Sequence, residues 1–368
     1  MEYCRKSIQL LAACVAMACA GWAQDNAAVP SEDPIAESFV AVPNVTAWPN
    51  LTRLPDGTII LVGFDKPSHG QVEGDVACWA SEDEGQTWTY RGTLTEHEPN
   101  TVRMNHAAGV DAEGNLIALV GGWSDVQQPG AEKRGDFRDA IIRPWVCKST
   151  DGGKTWTTHK EFPTDPSGRE FVPFGDILAS DGGRLNASAY STSYYDKPGP
   201  WAAYFLTSED GGITWEIRSK IADNLNETAI LNLGNGEWLA ALRGPAMSLY
   251  RSTDDGLTWQ DEGQVSEKKQ IPGHLLQLKD GRILLTYGDR REGLRGVRAR
   301  MSADNGKTWG APVYVARMAE SDGGYPASLE RDDGQVLSVF YTHPESGYAV
   351  HGAIWDPEVC GVGEGSNE

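Results

Sequence analysis

Apolar and polar residues alternate along most of the chain, in pairs of stretches separated by an acidic-Gly or Asn-Gly turn. The stretches are rich in β-branched residues, a pattern typical of antiparallel β-hairpins. A weaker sixth pair turns near Asp181-Gly182-Gly183. The five clear pairs are Leu51–Phe64, Ala107–Gly121, Leu231–Leu242, Leu275–Tyr287 and Ala327–Tyr341. No stretch shows a helical period, so the pattern predicts an all-β protein with six hairpin-containing units.

A turn motif, Ser-x-Asp-x-Gly-x-Thr-Trp, follows five of these hairpins. Its Ser and Asp side chains can bond the backbone of a tight turn, its Gly can take a positive φ, and its Trp can cover the turn. The copies begin at Ser81, Ser149, Ser208, Ser252 and Ser302. A repeat of roughly 50 residues is typical of propellers and solenoids. We interpret the motif as a structural turn rather than as part of a ligand site.

The sixth unit ends at Tyr348–Trp355 and lacks a fourth strand. The extended segment Glu37–Val45 precedes the first unit and could supply that strand, which would close a ring of blades. We therefore predict a six-bladed β-propeller over residues 37–356. A flexible segment, 24–36, would precede it and a tail, 357–368, would follow.

Charge and composition narrow the classes of partner. The chain has 368 residues, with 52 acidic and 32 basic side chains, a net charge of −20 and 42 glycines. This acidity argues against a nucleic-acid partner, which would need clustered Lys and Arg. The polarity and glycine content exclude a multi-span membrane protein.

The N-terminus has the pattern of a targeting segment. Arg5 and Lys6 precede an apolar run, Ile8–Ala20, that is too short to span a bilayer comfortably. We predict a signal peptide over residues 1–23, with cleavage after Ala23, and a secreted or periplasmic protein. The segment Leu11–Cys14 looks like a lipoprotein box, so a lipid anchor is the alternative.

Three cysteines remain after such a cleavage: Cys78, Cys147 and Cys360. An odd number of cysteines does not make a disulfide framework, and their spacing is not that of a metal site. Cys78 and Cys147 each stand just before a box, so we expect both to be buried strand residues.

The register of the hairpins brings functional side chains to one end of the predicted ring. Nine residues before the turn glycines stand Trp48, Asn105, Glu227, Pro272 and Tyr325, with Pro173 or Phe174 in the weak unit. Glu227 and Tyr325 share one register and should point inward at similar depth. Tyrosine is a poor nucleophile near neutral pH because its pKa is about 10, but a neighbouring carboxylate can take its proton. Alternatively, Glu227 is a hydrogen-bond acceptor of its strand and Tyr325 an aromatic packing residue.

The boxes, the six units and the strand order resemble the Asp-box, or BNR-repeat, sialidase superfamily. The resemblance implies a six-bladed propeller and a glycoside hydrolase with a Tyr nucleophile. Asn226-Glu227 with Arg243 looks like the segment that brings the Glu partner and one carboxylate-binding Arg. Tyr325–Leu329 looks like the segment with the nucleophile.

The family holds the sugar carboxylate with three arginines, whose planar guanidinium groups match it in bidentate fashion. Arg243 fits one position. For another we favour Arg295, with Arg290, Arg291 and Arg298 as alternatives. At the third position this chain reads Ala47-Trp48-Pro49, so one of the three carboxylate-binding arginines is missing. A site with two arginines could still prefer an acidic sugar, or Trp48 could stack on a sugar face.

The family's general acid is an Asp on the loop after the second strand of the first unit. Here that loop holds Asp65, His69, Glu73 and Asp75. We favour Glu73 or Asp65 as the acid, and His69 is an alternative because its reference pKa suits proton transfer near neutrality. Further residues could line the pocket or simply pack the blades: Asn105, His106, Trp123, Tyr190, Tyr194, Tyr195 and His274.

The leading interpretation is a secreted, exo-acting glycoside hydrolase that releases a terminal acidic sugar, sialic acid or a relative. It would need no metal or cofactor, would take a glycan as its partner and would act as a monomer. The alternatives are a non-catalytic glycan-binding propeller and a hydrolase or lyase for another acidic polysaccharide.

Overall fold

The computed structural model describes residues 33–127, 132, 135–192, 200–343 and 347–362. The first group of strands comprises β1 Ser38–Pro43, β2 Thr46–Arg53, β3 Ile59–Phe64, β4 Val76–Ser81 and β5 Thr89–Thr93. The second comprises β6 Thr101–Val110, β7 Leu116–Ser124, β8 Ala140–Ser149 and β9 Thr157–His159. The third comprises β10 Val172–Ala179, β11 Leu185–Ser191, β12 Ala202–Ser208 and β13 Glu216–Asp223.

The remaining strands continue the same order. They are β14 Thr228–Gly234, β15 Glu237–Arg243, β16 Met247–Ser252 and β17 Gln260–Gln264, then β18 Gln270–Gln277, β19 Ile283–Asp289, β20 Gly296–Ser302 and β21 Val313–Arg317, and finally β22 Gly324–Glu330, β23 Val336–Thr342 and β24 Ala349–Trp355. One short 3₁₀ helix spans Pro357–Val359. The predicted all-β fold and its six hairpins are confirmed. Within the described residues, no helix has the length and apolarity that a membrane crossing requires. The predicted signal peptide lies outside these residues.

The strands pair antiparallel in groups of four that follow the chain, starting at β2, β6, β10, β14 and β18. The last sheet contains β22, β23 and β24, and β1 completes it by pairing with β24, with Phe39 opposite Gly352. A short parallel pairing of β10 with β6 joins the second and third groups into one eight-stranded sheet. The first strands of successive groups contact one another, and β22 also contacts β2.

The last strand of a group is less buried than its middle strands. Strands β3 and β4 are buried at every residue, whereas β17 is exposed at every residue. The inner strands are apolar on both faces because each face packs against a neighbouring sheet. Cys78 in β4 and Cys147 in β8 are fully buried, as predicted. Burial raises the pKa of each thiol to about 12.

The turn motif closes by hydrogen bonds between its own residues. In the first copy, the amide of Gly85 donates to Oγ of Ser81 at 2.8 Å. The amide and hydroxyl of Thr87 donate to Asp83 at 2.9 and 2.6 Å. The indole of Trp88 donates to the Gly85 carbonyl at 3.1 Å. The Ser and Asp bonds recur in the other four copies.

Each box also packs on the preceding sheet. The box glycines have positive φ and leave no room for a side chain, because a neighbouring residue lies directly against them. The pairs are Gly153 with Cys78, Gly212 with Ile117, Gly256 with Phe205, Gly306 with Leu239, and Gly85 with Leu337. The last pair joins the first sheet to β23 of the final sheet. The boxes therefore hold sheets together as well as closing turns.

Candidate active site

Tyr325 and Glu227 meet at the inner ends of two different sheets. The Tyr325 hydroxyl donates to Oε1 of Glu227 at 2.9 Å. Nη1 of Arg243 donates to the Tyr325 oxygen at 2.7 Å and also binds Oε2 of Glu227. The tyrosine is 5% exposed and the glutamate 6%. One guanidinium thus contacts both partners of a buried hydrogen bond.

Local backbone structure explains this convergence. The backbone of Arg243 pairs with Asn226 and Glu227, which extends the β14–β15 hairpin and sets the carboxylate beside the guanidinium. Tyr325 lies at a shift in the β22–β23 register between Gly324 and Ala327, and its φ is 53°. A bulge re-aims a side chain relative to a regular strand. The tyrosine ring is therefore directed by an irregular backbone.

The electrostatics keep Tyr325 protonated at neutral pH. Burial raises the pKa of the phenol, and the Glu227 carboxylate raises it further, while Arg243 and Arg290 oppose part of that rise. A neutral phenol must lose its proton as it attacks, and Glu227 stands in hydrogen-bond contact to accept it.

Among the arginines of residues 290–298, Arg290 is the one brought against Tyr325. Its guanidinium lies 5.0 Å from the centre of the phenol ring, and Nη2 donates to the Gly323 carbonyl at 3.0 Å. Arg295, which we favoured from the sequence, instead contacts the Ala319 carbonyl and Glu320. Arg291 and Arg298 both bind Asp289.

At the position where the resemblance predicts the remaining arginine this chain has Ala47, and the indole of Trp48 follows it. Trp48 meets the Tyr325 ring edge-on, with centroids 5.9 Å apart, and is 6% exposed. Ala47 and Trp48 both have positive φ, at 63° and 48°. The ring is packed into the wall, which leaves little of its face for a sugar.

Both carboxylates favoured as the general acid are engaged in hydrogen bonds, Glu73 with the segment before β6 and Asp65 within its own loop. Glu73 accepts the amide of Asn100 at 2.6 Å. Asp65 accepts the amide of Asp75 at 3.0 Å and pairs with Lys66 at 2.9 Å. Neither has a described contact with Tyr325 or with the rings around it.

His69, from the same loop, lies beside the aromatic residues of the site. Its ring meets Trp48 edge-on at 5.1 Å, and its Nδ1 lies 3.0 Å from Oδ1 of Asp322. Asp322 also accepts the hydroxyls of Tyr341 at 2.8 Å and Tyr348 at 2.6 Å. Tyr341 in turn stacks on Tyr325 at 5.7 Å between centroids.

Sequence reasoning missed Asp322. Before Gly323 and Gly324 it looks like an ordinary turn residue, and its only signal is its place three residues before Tyr325. Burial by itself would raise the pKa of Asp322, but the hydrogen bonds from His69, Tyr348 and Tyr341 outweigh it and hold the pKa well below its usual range.

Two other predicted residues lie beneath the tyrosine. Nε2 of His274 is 3.0 Å from Oδ2 of Asp176, whose Oδ1 accepts from Asn50 at 2.6 Å. His106 is buried and donates from Nδ1 to the Met104 carbonyl at 3.0 Å, and burial lowers its pKa. With Tyr325, they line a cavity of about 20 Å³, room for one water molecule.

The remaining predicted residues form part of the surrounding wall. The indole of Trp123 donates to Oδ1 of Asn105 at 2.8 Å, and Arg138 lies 5.2 Å above that indole. Tyr190 stacks on Trp201 with ring centroids 5.9 Å apart. Tyr194 and Tyr195 lie outside the described residues.

Asp-box repeats on an all-β scaffold, with a buried Tyr–Glu–Arg cluster between sheets, define a protein of the sialidase-like class. A family model, the BNR repeat-like domain, matches residues 70–337, and the chain belongs to that family. Sialidases are among its curated homologues. One from Micromonospora viridifaciens is 26% identical over 88% of this chain, and one from Bacteroides fragilis is 24% identical over 53%. These matches span only 57% and 38% of the two relatives' own lengths.

Solved structures show the same fold. A protein of unknown function from Dyadobacter fermentans matches with a TM-score of 0.74 and 23% identity, over 89% of this chain and 99% of that one. A Hadza microbial sialidase matches with a TM-score of 0.67 and 19% identity, over 86% and 66%. The Trypanosoma rangeli sialidase bound to the inhibitor DANA matches with a TM-score of 0.67 and 18% identity, over 89% and 59%.

Proposed function

We propose that this protein is an exo-acting glycoside hydrolase that releases a terminal acidic sugar through Tyr325 and Glu227. The observation that carries the proposal is the 2.9 Å hydrogen bond from the Tyr325 hydroxyl to Glu227, with Arg243 bound to both groups. In the reaction the tyrosine oxygen attacks the anomeric carbon while Glu227 takes its proton. The arginine stabilises the negative charge that develops between them.

The preference for an acidic sugar rests on two cations. Arg243 and Arg290 both stand beside Tyr325, at 5.9 and 5.0 Å from its ring centre. Nε of Arg290 is buried without a partner among the described residues, so it is a donor available to a ligand. Ala47 stands at the third arginine position, so the substrate's acidic group would be held by two guanidinium groups. The missing third arginine favours another acidic sugar over a strict specificity for sialic acid.

The scaffold we propose is a six-bladed propeller, with β1 as the last strand of its sixth blade. The six groups of strands, the contact of β22 with β2 and the packing of Gly85 on Leu337 support it. Secretion by way of residues 1–23 belongs to the same proposal.

A panel of 4-methylumbelliferyl glycosides, acidic and neutral, tests the function. We expect the protein to hydrolyse at least one acidic member and Tyr325→Phe to lose about 1,000-fold or more in kcat/KM, because the nucleophile is gone. Tyr90→Phe is the matched control, since Tyr90 is 61% exposed on β5. The proposal fails if Tyr325→Phe retains the activity. Glycan binding without turnover of any member would instead indicate a non-catalytic propeller.

A further inference from the structure

We propose that His69, oriented by Asp322, donates the proton to the leaving oxygen of the substrate. The inference rests on the proposed function and adds a catalytic acid to it. It replaces the carboxylic acid that the sequence led us to expect on this loop with an imidazole and a positioning carboxylate from the segment just before β22.

The position of His69 is the first argument. Among the titratable side chains of its loop, it is the one with described contacts to the rings that surround Tyr325. It touches Trp48 at 5.1 Å and Tyr341 at 6.2 Å between centroids, and those two rings touch Tyr325 at 5.9 and 5.7 Å. An acid must stand near the scissile bond on the side away from the nucleophile, and Trp48 and Tyr341 each contact both His69 and Tyr325.

The orientation of the imidazole is the second argument. A carboxylate accepts, so the bond to Asp322 is donated by Nδ1–H of His69. The hydroxyl of Tyr341 lies 3.3 Å from the same nitrogen. Among the described residues, no hydrogen bond is made by Nε2, which leaves that atom for a substrate. A carboxylate that fixes one nitrogen sets the direction in which the other can give its proton.

The loop is held in place before any substrate arrives. Arg138 donates from Nη2 to the His69 carbonyl at 2.7 Å and from Nη1 to the Gly70 carbonyl at 2.9 Å. A donor positioned by fixed groups loses less entropy when it reacts. The charged and titratable groups with described contacts to His69 are Asp322 and Tyr341 at its ring and Arg138 at its carbonyl. Tyr348 bonds to Asp322, and Tyr325 stacks on Tyr341.

The rival acids are already engaged. Asp75 accepts from Thr95 at 2.8 Å and lies 2.7 Å from Nδ1 of His97. Glu73 bonds to Asn100, and Asp65 bonds to Asp75 and Lys66. Asp322 has a different role. It accepts three hydrogen bonds and stays ionised, so it has no proton to donate, but its negative charge can balance that of a protonated imidazole.

The proton balance closes over two steps. In the first, the Tyr325 oxygen bonds to the anomeric carbon and its proton passes to Glu227. The glycosidic bond breaks, its electron pair stays on the leaving oxygen, and that oxygen takes the proton of Nε2 of His69. In the second, water gives a proton to Nε2 and its oxygen bonds to the anomeric carbon. The bond to Tyr325 breaks, and the phenol recovers its proton from Glu227.

Leaving groups of different basicity test the role. A 2,4-dinitrophenyl leaving group needs no proton, whereas a benzyl leaving group does. With the sugar that the wild type accepts, we expect His69→Gln to lose about 100-fold or more in kcat/KM on the benzyl glycoside and less than about tenfold on the dinitrophenyl glycoside. Asp322→Asn should show the same selective loss at smaller size. The ratio between the two substrates does not depend on the fraction of folded enzyme.

His159→Gln is the matched control, because His159 is exposed on β9. It should leave both substrates unchanged. If His69→Gln loses activity equally on both glycosides, or loses none, the inference is overturned but the proposed hydrolase function is not. A selective loss on the benzyl glycoside in Asp65→Asn or Glu73→Gln would have the same consequence. No turnover of either glycoside by the wild type would overturn the proposed function, and the acid with it.

Discussion

Tyr325 and Trp48 both have backbone angles that non-glycine residues rarely adopt, with φ of 53° and 48°. Such positions cost of the order of 1–3 kcal/mol each, and they persist where surrounding structure enforces them. Both residues are buried in one cluster, and their rings touch. Two of the described non-glycine residues with positive φ are therefore in contact at the tyrosine that we assign as the nucleophile.

The ion pair beside Tyr325 gives a stability prediction. Arg243→Ala leaves the Glu227 carboxylate buried without its cation, and we expect a loss of about 3–5 kcal/mol in the free energy of unfolding. Glu227→Gln removes the charge instead, and the guanidinium, whose side chain is 23% exposed, keeps some contact with water. The loss of unfolding free energy in Glu227→Gln should therefore be smaller than in Arg243→Ala. Urea unfolding of both variants measures the order, and equal losses would contradict it.

The Glu227→Gln variant also tests the role of Glu227 in catalysis apart from its role in stability. The amide preserves the shape of the site but cannot take the phenol's proton. We expect kcat on the accepted glycoside to fall by about 100-fold to 10,000-fold while substrate binding changes little. Steady-state kinetics on the folded variant check this. Unchanged kcat would show that another group is the base.

At the residue scale, the sequence predicted that Glu227 and Tyr325 point to the same place, and the two side chains are in hydrogen-bond contact. Glu227 and Tyr325 share a register in two hairpins, and register determines which way a strand residue points. The sequence led us to favour Arg295, whereas Arg290 is the one beside Tyr325, and it gave no sign of the His69–Asp322 contact. Those residues lie on loops or at strand ends, where side-chain direction depends on contacts between sheets rather than on periodicity.

At the scale of the element, the box is a hydrogen-bonded turn whose carboxylate is held ionised. Bonds from the hydroxyl and amide of Thr155 lower the pKa of Asp151 to about 2. An Asp in an unfolded chain has a pKa of about 4. The stabilisation is present above that value and is lost as the pH falls through about 2.

This linkage predicts a difference in acid stability. Thermal midpoints of the wild type should fall more steeply between pH 4 and pH 2 than those of Asp151→Asn, which has no carboxylate to protonate. At neutral pH the variant should melt a few degrees lower, by about 1–3 °C, because the turn has lost hydrogen bonds. Parallel curves for the two proteins would contradict the assignment.

The packing of a box on its neighbouring sheet can be tested with two glycines. Gly85 and Gly57 both have φ near 90°, so alanine strains both backbones alike. A Cβ at Gly85 would lie 2.3 Å from Leu337, whereas one at Gly57 would meet nothing within 4 Å. We expect Gly85→Ala to be more destabilising by about 1–3 kcal/mol, the range of overpacking. Equal unfolding free energies would show that the box does not brace the two sheets.

At the scale of the whole molecule, the first and last parts of the chain share one sheet. Strand β1 covers the edge of β24, and the backbone of Ile35 and Ala36 also bonds to Tyr314 and Val315 of the neighbouring sheet. An uncovered β24 would present unpaired backbone groups to other molecules.

Removing residues 1–43 should therefore destabilise the protein and cause its molecules to associate with one another. We expect a thermal midpoint lower by more than about 5 °C and oligomers in size-exclusion chromatography. Removing residues 1–32 instead retains β1 and is the control, so it should leave both properties unchanged. A monomeric 44–368 protein with an unchanged midpoint would show that β1 is dispensable.

The whole-molecule organisation was the part most readable from the sequence. Five identical boxes and six hairpin turns are local patterns that repeat, and each depends on a few neighbouring residues such as Ser81, Asp83 and Gly85. The joining of the second and third groups through β6 and β10 was not foreseen, because parallel contacts between groups leave no pattern in either strand.

The anomeric configuration of the first product tests the central claim most directly. If Tyr325 forms a glycosyl intermediate, two displacements occur at the anomeric carbon and the released sugar keeps the configuration of its glycoside. Proton NMR during the first minutes of hydrolysis, before the free sugar equilibrates, reads that configuration. Our account predicts retention. Release of the inverted sugar would contradict a tyrosine nucleophile.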